Sequence, residues 1–260
     1  MKKISVLGCG WLGIPLCEAL LADGFEVSGS TTSKHKIPLL SSKGITPFSF
    51  SVGPDGIEGN PEAFFDADVL VIDIPPRFHF PQKIATLLPY IAASGIAKVM
   101  LISSVSVYGQ TDGTLTESNE PMIRSDRSKQ LYDAENLLRD NPGFKSTIVR
   151  FGGLIGPGRH PVRQLAGQID LENPHAPVNL IHLADCIGII KAVIQTDTWG
   201  ETFNAVAPWH PSRERYYTQK ALDFSLEPPR FNHATPSAGK TIGSEKLQQR
   251  LGYAFEFPEL

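Results

Sequence analysis

The chain has 260 residues, 41% of them hydrophobic, enough for one large domain or one domain with a small appendage. A formal net charge of −3 leaves no basic footprint for nucleic acid or an anionic membrane surface. The three cysteines, Cys9, Cys17 and Cys186, are too few and too scattered for a disulfide framework or a zinc site, and read as buried fillers in a reducing compartment.

In chain order, Lys3–Leu7 is a short β-branched run that feeds Gly8-Cys9-Gly10-Trp11-Leu12-Gly13. An amphipathic segment follows, ending near Asp23-Gly24, and then a second strand at Glu26–Gly29. In this strand–turn–helix–strand setting, a Gly-x-Gly-x-x-Gly turn is the fingerprint of dinucleotide binding. Gly8 allows the tight turn, Gly10 admits a pyrophosphate close to the backbone, and Gly13 lets helix and strand pack together. Free amides at the start of the helix, around Trp11 and Leu12, face the phosphates. The Trp11 indole either packs on the sheet edge or reaches a phosphate. The opening also resembles a signal peptide, but only four residues, Ile4 to Leu7, separate Lys3 from the glycine turn. A secretory apolar core needs roughly seven or more. A cytoplasmic location is therefore expected.

A weaker strand-like run at Ile45–Phe50 precedes Asp68–Ile74, whose continuous apolar character suits a strand buried on both faces. The pattern predicts a helix from about Pro81 to Ser94 with Gly95 as its C-cap, and another buried strand at Lys98–Ser104. A helix over Ser125 to about Asp140, stopped by Asn141-Pro142-Gly143, precedes a strand at Ser146–Arg150. Strands alternating with helices predict an α/β fold, a Rossmann-type doubly wound parallel sheet. Residues 1–151 form the NAD(P)-binding domain in this reading. Residues 152–260 form a small substrate or lid lobe that lends some strands and helices to the main domain. Val178–Leu183 and Phe203–Val206 read as strands, with a helix capped by Asp185 between them. The last fifty residues, rich in proline and aromatics, read as part of the lobe, without assignable elements.

The second strand runs into Gly29-Ser-Thr31-Thr32-Ser33-Lys34-His-Lys36, where no acidic residue stands to hold a ribose 2′-hydroxyl. Hydroxyls and lysines suit a 2′-phosphate, which makes NADP the expected cofactor, with NAD possible.

These pieces together resemble the atypical and extended short-chain dehydrogenase/reductase superfamily, the epimerase/dehydratase-like proteins, in particular the YeeZ-like subgroup. The resemblance rests on the glycine turn, Asp73-Ile-Pro-Pro76, Ser103-Ser-Val-Ser-Val-Tyr-Gly109, Ala134-Glu135, Arg150 to Gly158, and Asn179-Leu-Ile-His-Leu-Ala-Asp185. It implies hydride exchange with a nicotinamide, an oxygen-orienting serine at Ser104, and a tyrosine activated by a lysine four residues later. The lysine is needed because a free tyrosine titrates near pH ~10 and is a poor base at neutrality. That pair is missing. Counting back from Ala134-Glu135 puts Arg127 in the tyrosine slot and Leu131 in the lysine slot, while Tyr132 is followed four residues on by Asn136.

Ser104 and Tyr132 are thus the expected catalytic residues. Asp73, Ile74, Pro75 and Ser103 are expected along the cofactor, with Asp73 alternatively satisfying loop N–H groups. Tyr108, Arg127, Gly153 and Arg159 are expected at the substrate, which could be a sugar nucleotide or another small anion. Arg127 and Arg159 either clamp an anionic group or stand as solvated charges. The functional expectation is an NAD(P)-binding oxidoreductase or epimerase/dehydratase-like protein, monomeric or homodimeric, with no metal, nucleic-acid or membrane partner. A catalytically inactive dinucleotide sensor is the alternative.

Overall fold

Apolar runs that alternate with amphipathic segments assemble into one eight-stranded sheet with helices on both faces. The computed structural model describes residues 2–234 and 236–260. The first half runs β1 (Lys3–Leu7), α1 (Gly13–Ala22), β2 (Glu26–Thr31), α2 (Ile37–Ser42), β3 (Thr46–Val52), β4 (Ile57–Gly59), β5 (Val69–Ile72), α3 (Phe80–Ser94), β6 (Lys98–Ser104), β7 (Gly113–Leu115) and α4 (Asp126–Arg139). Then come β8 (Lys145–Phe151), β9 (Gly153–Ile155), α5 (Val162–Leu165), β10 (Leu180–His182), α6 (Leu183–Gln195), β11 (Thr202–Ala205), α7 (Arg213–Asp223), β12 (Lys240–Ile242) and α8 (Glu245–Leu251).

The sheet order is β11-β8-β6-β5-β1-β2-β3-β4, parallel throughout except for the antiparallel β3–β4 edge. Strand order reverses between β1 and β5, the point at which open α/β sheets leave a ligand crevice at the carboxyl ends of the strands. The buried strands alternate faces with period two. Val69 and Val71 of β5 join the core under α1 and α6, while Leu70 and Ile72 join the core under α3 and α4. Met100 and Ile102 of β6 go to the first core, and Val99 and Leu101 to the second. Burial on both sides explains why these strands read as unbroken apolar runs.

Local signals set the helix ends. Gly95 closes α3 in the left-handed conformation at φ 77°, and Ser125 caps α4 in a reciprocal capping box with Ser128. At α6 the expectation fails, because the cap is His182, whose Nδ1 accepts from the Ala184 amide at 3.3 Å. Asp185 lies one turn in, fully buried, and accepts from Tyr253 Oη (2.9 Å) and the amides of Glu256 (2.7 Å) and Phe257 (3.1 Å). It pins the C-terminal segment instead of opening the helix.

The C-terminal half is shared between a satellite core and the main body. A satellite core of Ile155, Val162, Val178, Leu180, Tyr216, Tyr217 and Ala221 joins α5 and α7 to β9 and β10. The chain then returns to the main body: β12 pairs with β7, and Leu247 and Leu251 of α8 enter the core under α1 and α6.

Candidate functional site

The glycine turn between β1 and α1 is shaped by two close approaches. Gly8 has φ 113°, and a Cβ there would stand 2.3 Å from the Asp73 carbonyl oxygen. A Cβ on Gly13 would stand 2.2 Å from the Gly8 carbonyl oxygen. Gly10, by contrast, has nothing within 4 Å of its would-be Cβ, so the backbone is open on the side that faces the cleft. The turn is held by bonds to β2, with Gly8 N–H donating to Ser30 Oγ (3.1 Å) and Cys9 N–H to Ser30 O (2.7 Å). The amides of Trp11 and Leu12 have no protein acceptor among the described residues. They are the unsatisfied donors that a helix start offers to an anion.

Above the turn lies a cleft of about 940 Å³, at the large end of the range for small-molecule sites. One wall is the end of β2 and the loop after it. Thr31 is buried and its Oγ1 accepts from the Ser33 amide at 3.1 Å. Thr32 and Ser33 also line the cleft, but Lys34 does not; Lys36 takes its place, with Nζ donating to Cys9 O at 3.4 Å. The ends of β3 and β5 continue the wall with Phe50, Ser51, Val52, Ile74 and Pro75.

The Trp11 indole N–H donates to Pro157 O at 3.0 Å, and the Arg159 guanidinium lies 5.0 Å above its ring. Trp11 therefore has its indole N–H engaged within the protein, while its ring packs against the core under α1 and α6 and borders the cleft. It fastens the tight turn Gly156–Arg159 over the glycine turn and holds Arg159 at the cleft. Asp73, just after β5, is partly buried between these features. Burial pushes its carboxyl up to about 8, opposed in part by the Arg159 charge and by the Gly13 N–H.

The other end of the cleft is built by β6, β8 and the start of α4. Ser104 lines it and its Oγ accepts from the Ser106 amide at 3.2 Å. Ser103 also borders the cleft, but its hydroxyl donates to buried Glu135 Oε1 at 2.6 Å. Glu135 is held from the other side by Arg150, through Nε at 3.1 and 3.2 Å and Nη2 at 2.5 Å. Arg127 reaches the cleft, as do Gly153 and Arg159.

Tyr108 and Tyr132 do not reach it. Tyr108 is fully buried, with its hydroxyl donating to Thr116 O or Asn204 Oδ1, both at 3.0 Å, and accepting from Arg150 Nη1 at 2.9 Å. It is a brace beneath the floor, not a substrate contact. Tyr132 lies outside the cleft lining, with Oη 3.5 Å from Glu120 Oε2. One residue away, Leu131 is buried in the core. The helical step between neighbours is about 100°, and here it carries the phenol away from the cleft.

The lining holds five cations, Lys36, Arg77, Lys83, Arg127 and Arg159, against a single carboxylate, Asp73. None of the five forms an ion pair with a described residue. Arg77 and Lys83 were not singled out from sequence, and neither was the Phe50–Val52 wall, while Lys36 was read only as one of the two lysines after β2. From residues 152–260, the cleft is lined among the described residues by Gly152, Gly153, Leu154 and Arg159, and by none after Arg159.

Comparison with known proteins agrees with this geometry. A family model described as NAD(P)H-binding matches residues 8–188. Protein YeeZ of Escherichia coli strain K12 is 35% identical over 268 aligned positions, covering 100% of this chain and 97% of that protein. A Methylobacillus flagellatus structure, provisionally named an NAD-dependent epimerase/dehydratase, superposes with TM-score 0.82 at 25% identity, covering 99% of this chain and 94% of that one. The UDP-glucuronic acid 4-epimerase of Bacillus cereus, solved in complex with NAD, gives TM-score 0.79 at 18% identity, with coverages of 99% and 92%. At that identity the likeness is one of fold.

Proposed function

The chain belongs to the NAD(P)H-binding family of epimerase/dehydratase-like proteins, and on that premise we propose that it is an NADP-dependent oxidoreductase or epimerase-like enzyme acting on a small anionic substrate. The observation that carries the reading is the charge of the cleft, five unpaired cations facing a single carboxylate. In this reading Thr31, Thr32, Ser33 and Lys36 hold the 2′-phosphate, which an acidic residue at the end of β2 would repel. The Trp11 and Leu12 amides and Arg159 hold the diphosphate.

A nicotinamide, when bound, supplies the hydride chemistry. At the substrate end Ser104 Oγ hydrogen-bonds and orients the reacting oxygen, and Arg127 grips a carboxylate or phosphate on the same molecule. With Tyr132 turned toward Glu120, the proton at the substrate oxygen passes through the Ser104 hydroxyl to water in the open cleft. A relay without an ammonium-activated phenol is slow, and a low turnover number follows.

The test is NADPH oxidation across a panel of carbonyl compounds that carry a carboxylate or phosphate. Turnover on at least one of them is expected, falling about a hundredfold in Ser104→Ala, the low end of the range for proton-transfer catalysis. No tyrosine lines the cleft among the described residues, which favours a second reading, a sensor that binds dinucleotide without turning it over. Tight NADPH binding with no oxidation across the panel would establish that reading and remove the first.

A further inference from the structure

Asp73 stands where a bound diphosphate would bring its own negative charge. It follows β5 directly, its amide donates to Leu7 O at 2.8 Å, and its carbonyl packs against Gly8. Its Oδ2 lies 3.3 Å from the position a Cβ on Gly13 would take, and the carboxyl faces the Gly13 N–H at the start of α1. The charged and titratable groups around it are Arg159 from the turn after β9, the Cys17 thiol on α1 and the Cys186 thiol on α6. Arg159 is the only cation of this set, and Trp11 holds it in place.

The carboxyl therefore sits beside the helix start and draws on the Arg159 charge that a diphosphate would also use. An ionised Asp73 and a diphosphate share this corner only at the cost of like-charge repulsion. A neutral Asp73 has no such conflict and offers an O–H to a phosphate oxygen.

We infer that Asp73 borders the diphosphate subsite, and that dinucleotide binding requires a proton on its carboxyl, taken up from solvent whenever the residue is ionised beforehand. The inference rests on the reading that the diphosphate sits at the glycine turn. Two consequences follow. Affinity is level while Asp73 is neutral and falls as pH rises through its titration near 8. Each binding event above that range consumes one proton.

The experiment is calorimetric titration with NADPH from pH 7 to 9.5, each pH run in two buffers of different ionisation enthalpy so that protons are counted directly. Starting at pH 7 keeps clear of the 2′-phosphate, whose second proton leaves near pH ~6. The wild-type dissociation constant is expected to rise up to tenfold per pH unit above the titration, with proton uptake approaching one. Asp73→Asn, neutral at every pH, is expected to lose both effects. Binding with level affinity and buffer-independent heat across the range would overturn the inference while leaving the cofactor site intact. Absence of binding at every pH would overturn the site assignment and this inference with it. The proton count is made on the wild-type protein, so it decides the matter even if Asp73→Asn fails to fold.

Discussion

Arg150 and Glu135 lie beneath the cleft floor, 3% and 0% exposed, joined by three hydrogen bonds. Burial works against the Arg150 charge, and the bonds from Glu135 outweigh it and hold the guanidinium above its usual range. Removing one partner strands the other, which typically costs about 3–5 kcal/mol. Glu135→Ala is therefore expected to lower unfolding stability by that amount in urea titration. It would also free the Ser103 hydroxyl. A loss below ~1 kcal/mol would show that water reaches the pair. Asp73 behaves oppositely. Its carboxyl titrates near 8 in the fold against an ordinary 3.8, so the folded state holds the extra proton between those values. Folding stability linked to this group is fully present below about pH ~4 and lost as pH rises through 8. Asp73→Asn is expected to leave stability nearly unchanged at pH 4 and to raise it by a few kcal/mol at pH 8, on the order of the shift converted at ~1.4 kcal/mol per unit. Equal melting gains at both pH values would contradict this.

Among the elements, the loop after β2 shows what a sequence reveals and what it withholds. The hydroxyls and lysines of residues 31–36 are plain to read, but which lysine faces the cleft depends on the backbone. Lys34–Lys36 forms a 3₁₀ turn, in which side chains step by about 120°, so residues two apart point in different directions. Lys36 faces inward and Lys34 outward. Lys36→Ala is expected to weaken NADPH about tenfold, roughly 1.4 kcal/mol, and to leave NADH within about twofold. Lys34→Ala should change neither by more than about twofold in the same fluorescence titration. The reverse pattern would exchange the roles of the two residues. The same distinction runs through the rest of the chain. β1, β5, β6 and β8 were legible because burial on both faces leaves an unbroken apolar signature, and the glycine turn because two steric contacts demand its spacing. The three-residue strands β7 and β12 were not, because their pairing joins segments more than a hundred residues apart and no local period records it. Tyr132 looked like a candidate because residue type was visible and the rotation of α4 was not.

At the scale of the whole molecule, the cleft sits where strand order reverses between β1 and β5, and the protein's charge is distributed around it. The chain as a whole carries −3, while the cleft lining is cationic. A concave site of one sign focuses the field on an oppositely charged ligand, and salt screens it. No helix among the described residues is long and apolar enough to cross a membrane. We propose that this cleft grips a phosphorylated dinucleotide through the glycine turn, Arg159 and Lys36. That claim is tested most directly by calorimetric titration of the unmodified protein with NADPH, NADP, NADH and NAD at one pH and ionic strength. Saturable heat is expected, with the 2′-phosphorylated forms bound at least about tenfold more tightly than their counterparts. A folded protein that gives neither heat nor a thermal shift with any of the four would contradict the claim, and tighter binding of NADH than NADPH would contradict its choice of cofactor.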